Sequence, residues 1–221
     1  MAKGADILRL VCLIAYLAVF ALRSLTLRLS SGVNPFKLGS GTRGWRKGME
    51  LLFVPFFLAW VVEALLVAAL SPLRLFGPVS RLIVLDEPWT RPAGAVLAVV
   101  ALALFVGALA SFGDSWRVGI DDRERGELRT GGFFAFSRNP VFLSLDLLFA
   151  GTFLADGRLS LLIFAIIAGA GMHAQILEEE RSLEASYGRA YLDYKKKTNR
   201  YLGRRMTADP KRKEADLGPI R

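Results

Sequence analysis

Two short polar segments, one on each side of a long apolar stretch, carry the side chains best suited to chemistry. The first ends in Arg138-Asn139-Pro140. Asn favours the position that caps a helix and Pro favours the first helical turn, so a helix is predicted to begin here. The unpaired N–H groups of that helix end, with the Arg138 guanidinium beside them, would attract an anion such as a ligand carboxylate. The simpler alternative is a capped helix whose arginine only reaches the membrane interface.

The second polar segment is acidic and aromatic, and residues 178–194 are predicted to form one helix. Its side chains recur every four residues, so a continuous helix would place them on one face: Gln175, Glu179, Leu183, Tyr187 and Tyr191. Three consecutive glutamates, 178–180, follow an apolar run, where basic residues are the usual choice. A solvated helix with charged side chains paired on its surface is the alternative interpretation.

Few other residues could carry chemistry. His173 can carry a proton near neutral pH, although one histidine in a helical bundle is more often simply hydrogen-bonded. The chain has one histidine and one cysteine, Cys12, which excludes a disulfide within the chain and a zinc centre built from those residue types. No metal site is predicted. The glycine-rich fingerprints of soluble nucleotide-binding proteins are absent as well.

The elements that position these groups are apolar segments long enough to cross a membrane, or nearly so. Five are predicted, at 7–24, 51–71, 93–112, 140–155 and 159–177, and the fourth is short. The last two form a hairpin, which brings both polar segments to the same side. Glu63 lies inside the second segment, where an acid is costly, so it is expected to pair with a neighbouring helix or to lie near an aqueous cleft. The predicted fold is all-α: an integral membrane bundle of about five transmembrane helices.

Charge fixes the expected orientation. The chain has 29 Lys and Arg residues against 20 Asp and Glu residues. Most of the basic residues fall in regions 23–48, 113–139 and 178–221, which five spans place on one side. Basic loops stay in the cytoplasm, so the C-terminal helix is predicted to be cytoplasmic. Anionic membrane lipids account for the positive charge, and no nucleic-acid partner is expected.

The two polar segments and the hairpin between them resemble the isoprenylcysteine carboxyl methyltransferase family, which is related to the phospholipid N-methyltransferases. The family pattern reads G-x-F/Y-x-x-x-R-H/N-P, then a hydrophobic hairpin, then E-E-x-x-L-x-x-x-F/Y-G-x-x-Y-x-x-Y. Residues 132–140 and 179–194 match it here. Residues 115–121 also look like the segment that precedes this pattern in bacterial members, so the resemblance covers about 111–202.

The resemblance implies a membrane methyltransferase that uses S-adenosylmethionine. Its cofactor pocket would lie at the cytoplasmic ends of the helices, and a lipophilic acceptor would enter from the bilayer. It also implies three parts: N-terminal membrane helices over 1–110, a catalytic region over 111–202 and a basic tail over 203–221. A membrane reductase that uses NADPH, of the sterol-reductase type, is an alternative. A non-catalytic membrane scaffold is another.

Carried over residue by residue, the resemblance assigns a role to most of the polar positions. The predicted cofactor-binding residues are Glu127, Leu128, Arg129, Phe134, Asn139, Pro140, Val141, Phe142 and Glu179. Arg138 and Glu180 are the predicted catalytic residues, and His173 and Gln175 are predicted to face the acceptor.

Three positions depart from the family pattern. Asn139 replaces a frequent histidine, and Gly203 stands where the eukaryotic pattern usually has proline. Gln175 occupies the position of an arginine that serves the substrate in the carboxyl methyltransferases. Without that charge, a prenylcysteine carboxylate fits poorly. A lipid amine, a thiol or an isoprenoid hydroxyl is an equally good candidate for the acceptor.

Overall fold

The structure, a computed structural model, describes residues 2–30, 45–69, 73–112 and 128–203. Its helices, with a 3-10 helix at Gly132–Ala135, are α1 Ala2–Ser30, α2 Trp45–Ala68, α3 Pro78–Arg81, α4 Thr90–Phe112, α5 Pro140–Asp156, α6 Leu159–Tyr187 and α7 Arg189–Lys197. Over these described ranges the predicted all-α class is confirmed, and the strand-like pairing is limited to an isolated bridge between Ile83 and Arg158.

Four of these helices, α1, α2, α4 and α6, are long and apolar enough to cross a membrane. Their outward faces expose large aliphatic side chains, such as Leu52 on α2, Val96 on α4 and Ile166 on α6. Such surfaces are stable in lipid and unfavourable in water, so this is a membrane protein. Helix α5 has 17 residues, which extend roughly 26 Å and fall short of a typical hydrocarbon core. Four candidate spans are therefore shown among the described residues, and a fifth, α5, stays a prediction.

Helices α4 and α5 approach each other closely because small residues line their contact. A Cβ atom added to Gly94 would lie 2.5 Å from the Gly151 carbonyl oxygen and 2.6 Å from Ala155 Cβ. Ala98 and Ala101 on the same face of α4 are fully buried. Close packing through small residues is typical of helices that associate in membranes.

The predicted hairpin is confirmed, and Gly157 makes its turn. This residue has φ 60°, a conformation that favours glycine. An added Cβ would lie 1.6 Å from the Leu85 carbonyl oxygen, and the N–H groups of Val84 and Leu85 donate to the Gly157 carbonyl. Because α5 and α6 are antiparallel, Asn139 lies at the same end of the bundle as the last turns of α6. We call this end the site end.

Polar contacts inside the bundle join the helices at the opposite end. Glu63 is fully buried, and its carboxylate accepts bonds from the Leu75 N–H at 3.0 Å and the Ser160 hydroxyl at 2.9 Å. The predicted partner on a neighbouring helix is thus confirmed as Ser160 of α6. Arg9 of α1 is buried and pairs with Asp156 at the end of α5.

One prediction about helix continuity is wrong. Residues 178–194 do not form a single helix, because Gly188, with φ 50°, separates α6 from α7. A residue with a side chain rarely adopts this φ, so the break is local to the glycine. Gln175 and Glu179 do share α6, whereas Tyr191 and Tyr194 lie on α7.

Candidate functional site

A buried ion pair joins the two polar segments at the site end. Arg138 donates from Nη2 and Nε to Glu180 Oε1, at 2.7 and 3.1 Å. Its remaining nitrogen, Nη1, donates to the carbonyl oxygens of Thr198 at 2.8 Å and Lys195 at 3.2 Å. Both side chains are only 4% exposed. Each charge is therefore satisfied by hydrogen bonds, as a buried ion pair requires.

Arg200 and Asn139 complete what we call the charged network, which consists of Arg138, Asn139, Glu180 and Arg200. Arg200 Nη2 donates to Glu180 Oε2 at 2.9 Å, and Asn139 Nδ2 donates to Glu180 Oε1 at 3.3 Å. The hydrogen bond with Glu180 raises the pKa of the Arg200 guanidinium. Two guanidinium groups here face one carboxylate, so the network retains one positive charge that its own carboxylate does not neutralise.

Backbone pairing between two distant segments places this network. The Arg138 N–H donates to the Asn199 carbonyl at 3.0 Å, and the Gly203 N–H donates to the Phe136 carbonyl at 2.7 Å. Gly203 has φ 102°, which proline cannot adopt, and proline has no N–H to donate. Proline therefore does not fit this backbone position.

Asn139 and Pro140 occupy the predicted cap and first position of α5. The Asn139 side chain does not cap the helix, because its amide bonds Glu180 and the Arg200 carbonyl instead. The first-turn N–H groups of Val141 and Phe142 thus receive no side-chain acceptor from the cap residue. The side chains of these two residues are half-buried and pack on the apolar core, so their backbone is the part available at the site end.

An aromatic cluster lies beside the network and consists of Phe134, Tyr191 and Tyr194. Tyr194 donates its hydroxyl to the Phe134 carbonyl at 2.6 Å. The Tyr191 hydroxyl is buried and has no hydrogen-bond partner among the residues that the structure describes. Burial raises the pKa of both phenols, so both stay neutral at physiological pH. Leu128 packs against this cluster.

The remaining predicted residues are more scattered. His173 Nδ1 lies 2.5 Å from the Tyr201 hydroxyl, and the two rings stack with centroids 6.1 Å apart. Gln175 and Glu179 are half-buried on α6, and Arg129 is exposed. Glu127 lies outside the described residues, as do the rest of 113–127 and the tail from 204. The domain boundaries remain predictions.

The structure brings three predicted site residues into direct contact, Arg138, Asn139 and Glu180, with Phe134 and Leu128 in the adjoining cluster. Sequence analysis missed Arg200 and Tyr201. Arg200 follows a run of lysines and matches no motif, so its type and position gave no signal. The role of Arg200 in the network is visible only in the structure, where backbone hydrogen bonds pair residues 198–203 with residues 136–138.

Neither a scan against models of protein families nor a search of curated proteins finds a match to this chain. The fold and the site define a class: a helical membrane protein with a buried, positively charged network at one end of a helical hairpin.

Proposed function

We propose that this protein is an S-adenosylmethionine-dependent methyltransferase that acts on a lipophilic or small membrane-permeant acceptor. The observation that supports this most is the direct contact between the two halves of the methyltransferase-like pattern. Arg138 and Glu180 lie 42 residues apart and meet at 2.7 Å. A pattern that arose by chance would have no reason to converge on one buried pair.

The residues at the site end fit the parts of the cofactor. The positive charge of the network and the first-turn N–H groups of α5 suit its carboxylate. Glu179 suits a hydroxyl or ammonium group, and the apolar side chains of Leu128 and Phe134 suit the adenine ring. When bound, the cofactor supplies an electrophilic methyl group on a sulfonium ion.

The contacts favour a positioning role for Arg138 and Glu180, which the resemblance assigns to catalysis. Every charged donor of Arg138 is bonded within the protein, and Glu180 accepts bonds from Arg138, Asn139 and Arg200. Side chains whose hydrogen-bonding groups are used within the protein in this way hold the surrounding backbone in place. Methyl transfer depends strongly on the alignment of its two reactants, so fixing the pocket is a sufficient catalytic role for them.

The orientation and location belong to the same proposal. The site end and α7 face the cytoplasm of a bacterial inner membrane, and α5 crosses the bilayer as a fifth span. The distribution of Lys and Arg supports this arrangement. It places the charged network where a water-soluble cofactor has access and leaves the outer faces of the helices to lipid.

Thermal stability of the detergent-solubilised protein, with and without S-adenosylhomocysteine, tests the proposal. At a hundredfold its dissociation constant, the ligand should add about 2.7 kcal/mol of stability. NADPH should give no such increase. A response to NADPH alone would replace the methyltransferase with a reductase, and no response to either ligand in a folded sample would favour a scaffold.

A further inference from the structure

Asp146 is a carboxylate on the apolar helix α5. It is half-buried, and among the described residues it makes no hydrogen bond or ion pair. The carboxylates of Glu63 and Asp156, by contrast, are bonded to Ser160 and Arg9. A carboxylate at membrane depth without compensation is costly and marks a functional position. A bound cation is the simplest compensation.

Space for such a cation exists between α5 and α6. A Cβ atom added to Gly169 would meet a single atom within 4 Å, Asp146 Oδ1 at 3.8 Å. This glycine leaves open space on α6 beside the carboxylate, and we call this space the Asp146 groove.

Polar groups connect this groove with the charged network. His173 lies one turn beyond Gly169 on α6 and contacts the Tyr201 hydroxyl. Burial, and to a smaller extent the charge of Asp146, raises the pKa of the Tyr201 phenol. Arg200, the residue before Tyr201, bonds Glu180. On α5, Asp146 lies one turn past Phe142, roughly 6 Å along the helix axis, so the groove opens beside the predicted cofactor pocket.

We propose that the Asp146 groove binds the positively charged nitrogen of an amphiphilic amine, which is the methyl acceptor; this rests on the function proposed above. The sign of the charge separates the candidates. A carboxylate acceptor would be repelled by Asp146 and would find no arginine at Gln175. A neutral hydroxyl or thiol would leave the Asp146 charge uncompensated.

Methyl transfer to such an amine needs only the acceptor, the cofactor and the Asp146 carboxylate. The ammonium group of the acceptor gives one proton to an oxygen of Asp146 and becomes a neutral amine. The amine lone pair then forms the N–C bond to the methyl group while the C–S bond breaks, and the bonding electrons remain on sulfur. The products are a methylated ammonium ion and S-adenosylhomocysteine, and Asp146 returns its proton to water.

Dodecylamine and dodecanol, which share an alkyl chain and differ in the charge of the headgroup, test the proposal. Their half-saturating concentrations are measured by thermal stabilisation in neutral detergent. Wild-type protein should prefer dodecylamine by about tenfold, the usual worth of one charged hydrogen bond. Asp146→Asn should abolish the preference, and Asp146→Glu should keep it. Asp193→Asn is the matched control, because Asp193 is exposed on α7 and pairs only with Lys196 among the described residues.

The outcomes separate the two proposals. Equal preference in wild-type protein and Asp146→Asn, or no preference in wild-type protein, would overturn the amine groove even if S-adenosylhomocysteine binds. If the preference depends on Asp146 but S-adenosylhomocysteine gives no stabilisation, the groove stands and the methyltransferase fails. With labelled S-adenosylmethionine, wild-type protein should transfer the methyl group to dodecylamine and not to dodecanol. Transfer of the labelled methyl group to dodecanol would refute the assignment of the acceptor.

Discussion

Arg138 and Glu180 form a buried ion pair between the start of one helix and the last turns of the next, in which two guanidinium nitrogens donate to one carboxylate oxygen. The arginine also donates to two carbonyl oxygens at the end of α7, those of Lys195 in its last turn and of Thr198 just after it. One guanidinium group therefore fastens three parts of the chain together at the site end.

Replacing Arg138 by alanine should lower the free energy of unfolding by about 3–5 kcal/mol, since it leaves the Glu180 carboxylate without its main buried partner. Arg181→Ala is the matched control, because the Arg181 side chain is 72% exposed and pairs with Glu178 at the surface. It should cost less than about 1 kcal/mol. Thermal denaturation in detergent measures both variants. Equal losses of unfolding free energy would show that the buried pair stabilises the protein no more than the surface pair does.

Glu179→Gln should weaken binding of S-adenosylhomocysteine by about 1–3 kcal/mol without unfolding the protein, because a charged hydrogen bond is lost. Glu178→Gln makes the same chemical change one position earlier, at a side chain that pairs with Arg181. It should leave affinity unchanged. Calorimetric titration of the two variants decides the point, and wild-type affinity in Glu179→Gln would remove this residue from the site.

Replacing each of the two buried tyrosines of the aromatic cluster by phenylalanine should have a different effect on stability. Tyr194→Phe loses the bond to the Phe134 carbonyl and should destabilise the free protein by about 1 kcal/mol. Tyr191→Phe removes a buried hydroxyl that has no partner among the described residues, so it should leave stability unchanged or raise it. If that hydroxyl bonds the cofactor, affinity for S-adenosylhomocysteine should fall in Tyr191→Phe. Destabilisation by this variant would mean that the hydroxyl has a partner in the free protein.

Gly203→Pro, the change toward the eukaryotic pattern, should lower the thermal midpoint. It removes the N–H that bonds the Phe136 carbonyl and forbids φ 102°, so the cost should exceed about 1 kcal/mol. Gly203→Ala keeps the hydrogen bond and carries only the backbone strain, so it should cost less. A proline variant as stable as the wild type would show that the pairing of this segment is dispensable.

The apolar helices were predictable because burial in lipid dictates long runs of one residue class. The hairpin of α5 and α6 followed from the same pattern. The break between α6 and α7 at Gly188 could not be predicted. The repeat of every fourth residue continues across this glycine, and only its φ shows that the helix ends there. The bonds of Asn139 could not be predicted either. Its partners, Glu180 and the Arg200 carbonyl, are distant in sequence and meet only after the chain has folded.

The same return of residues 198–203 to the start of α5 has a consequence for biosynthesis. A ribosome completes every apolar helix before it reaches Arg200, so insertion into the membrane precedes completion of the charged network. A chain that stops after α7 would retain all the membrane helices, yet Glu180 would lack one guanidinium and Arg138 the carbonyl of Thr198. The charged network is therefore completed last, after the membrane helices have been made.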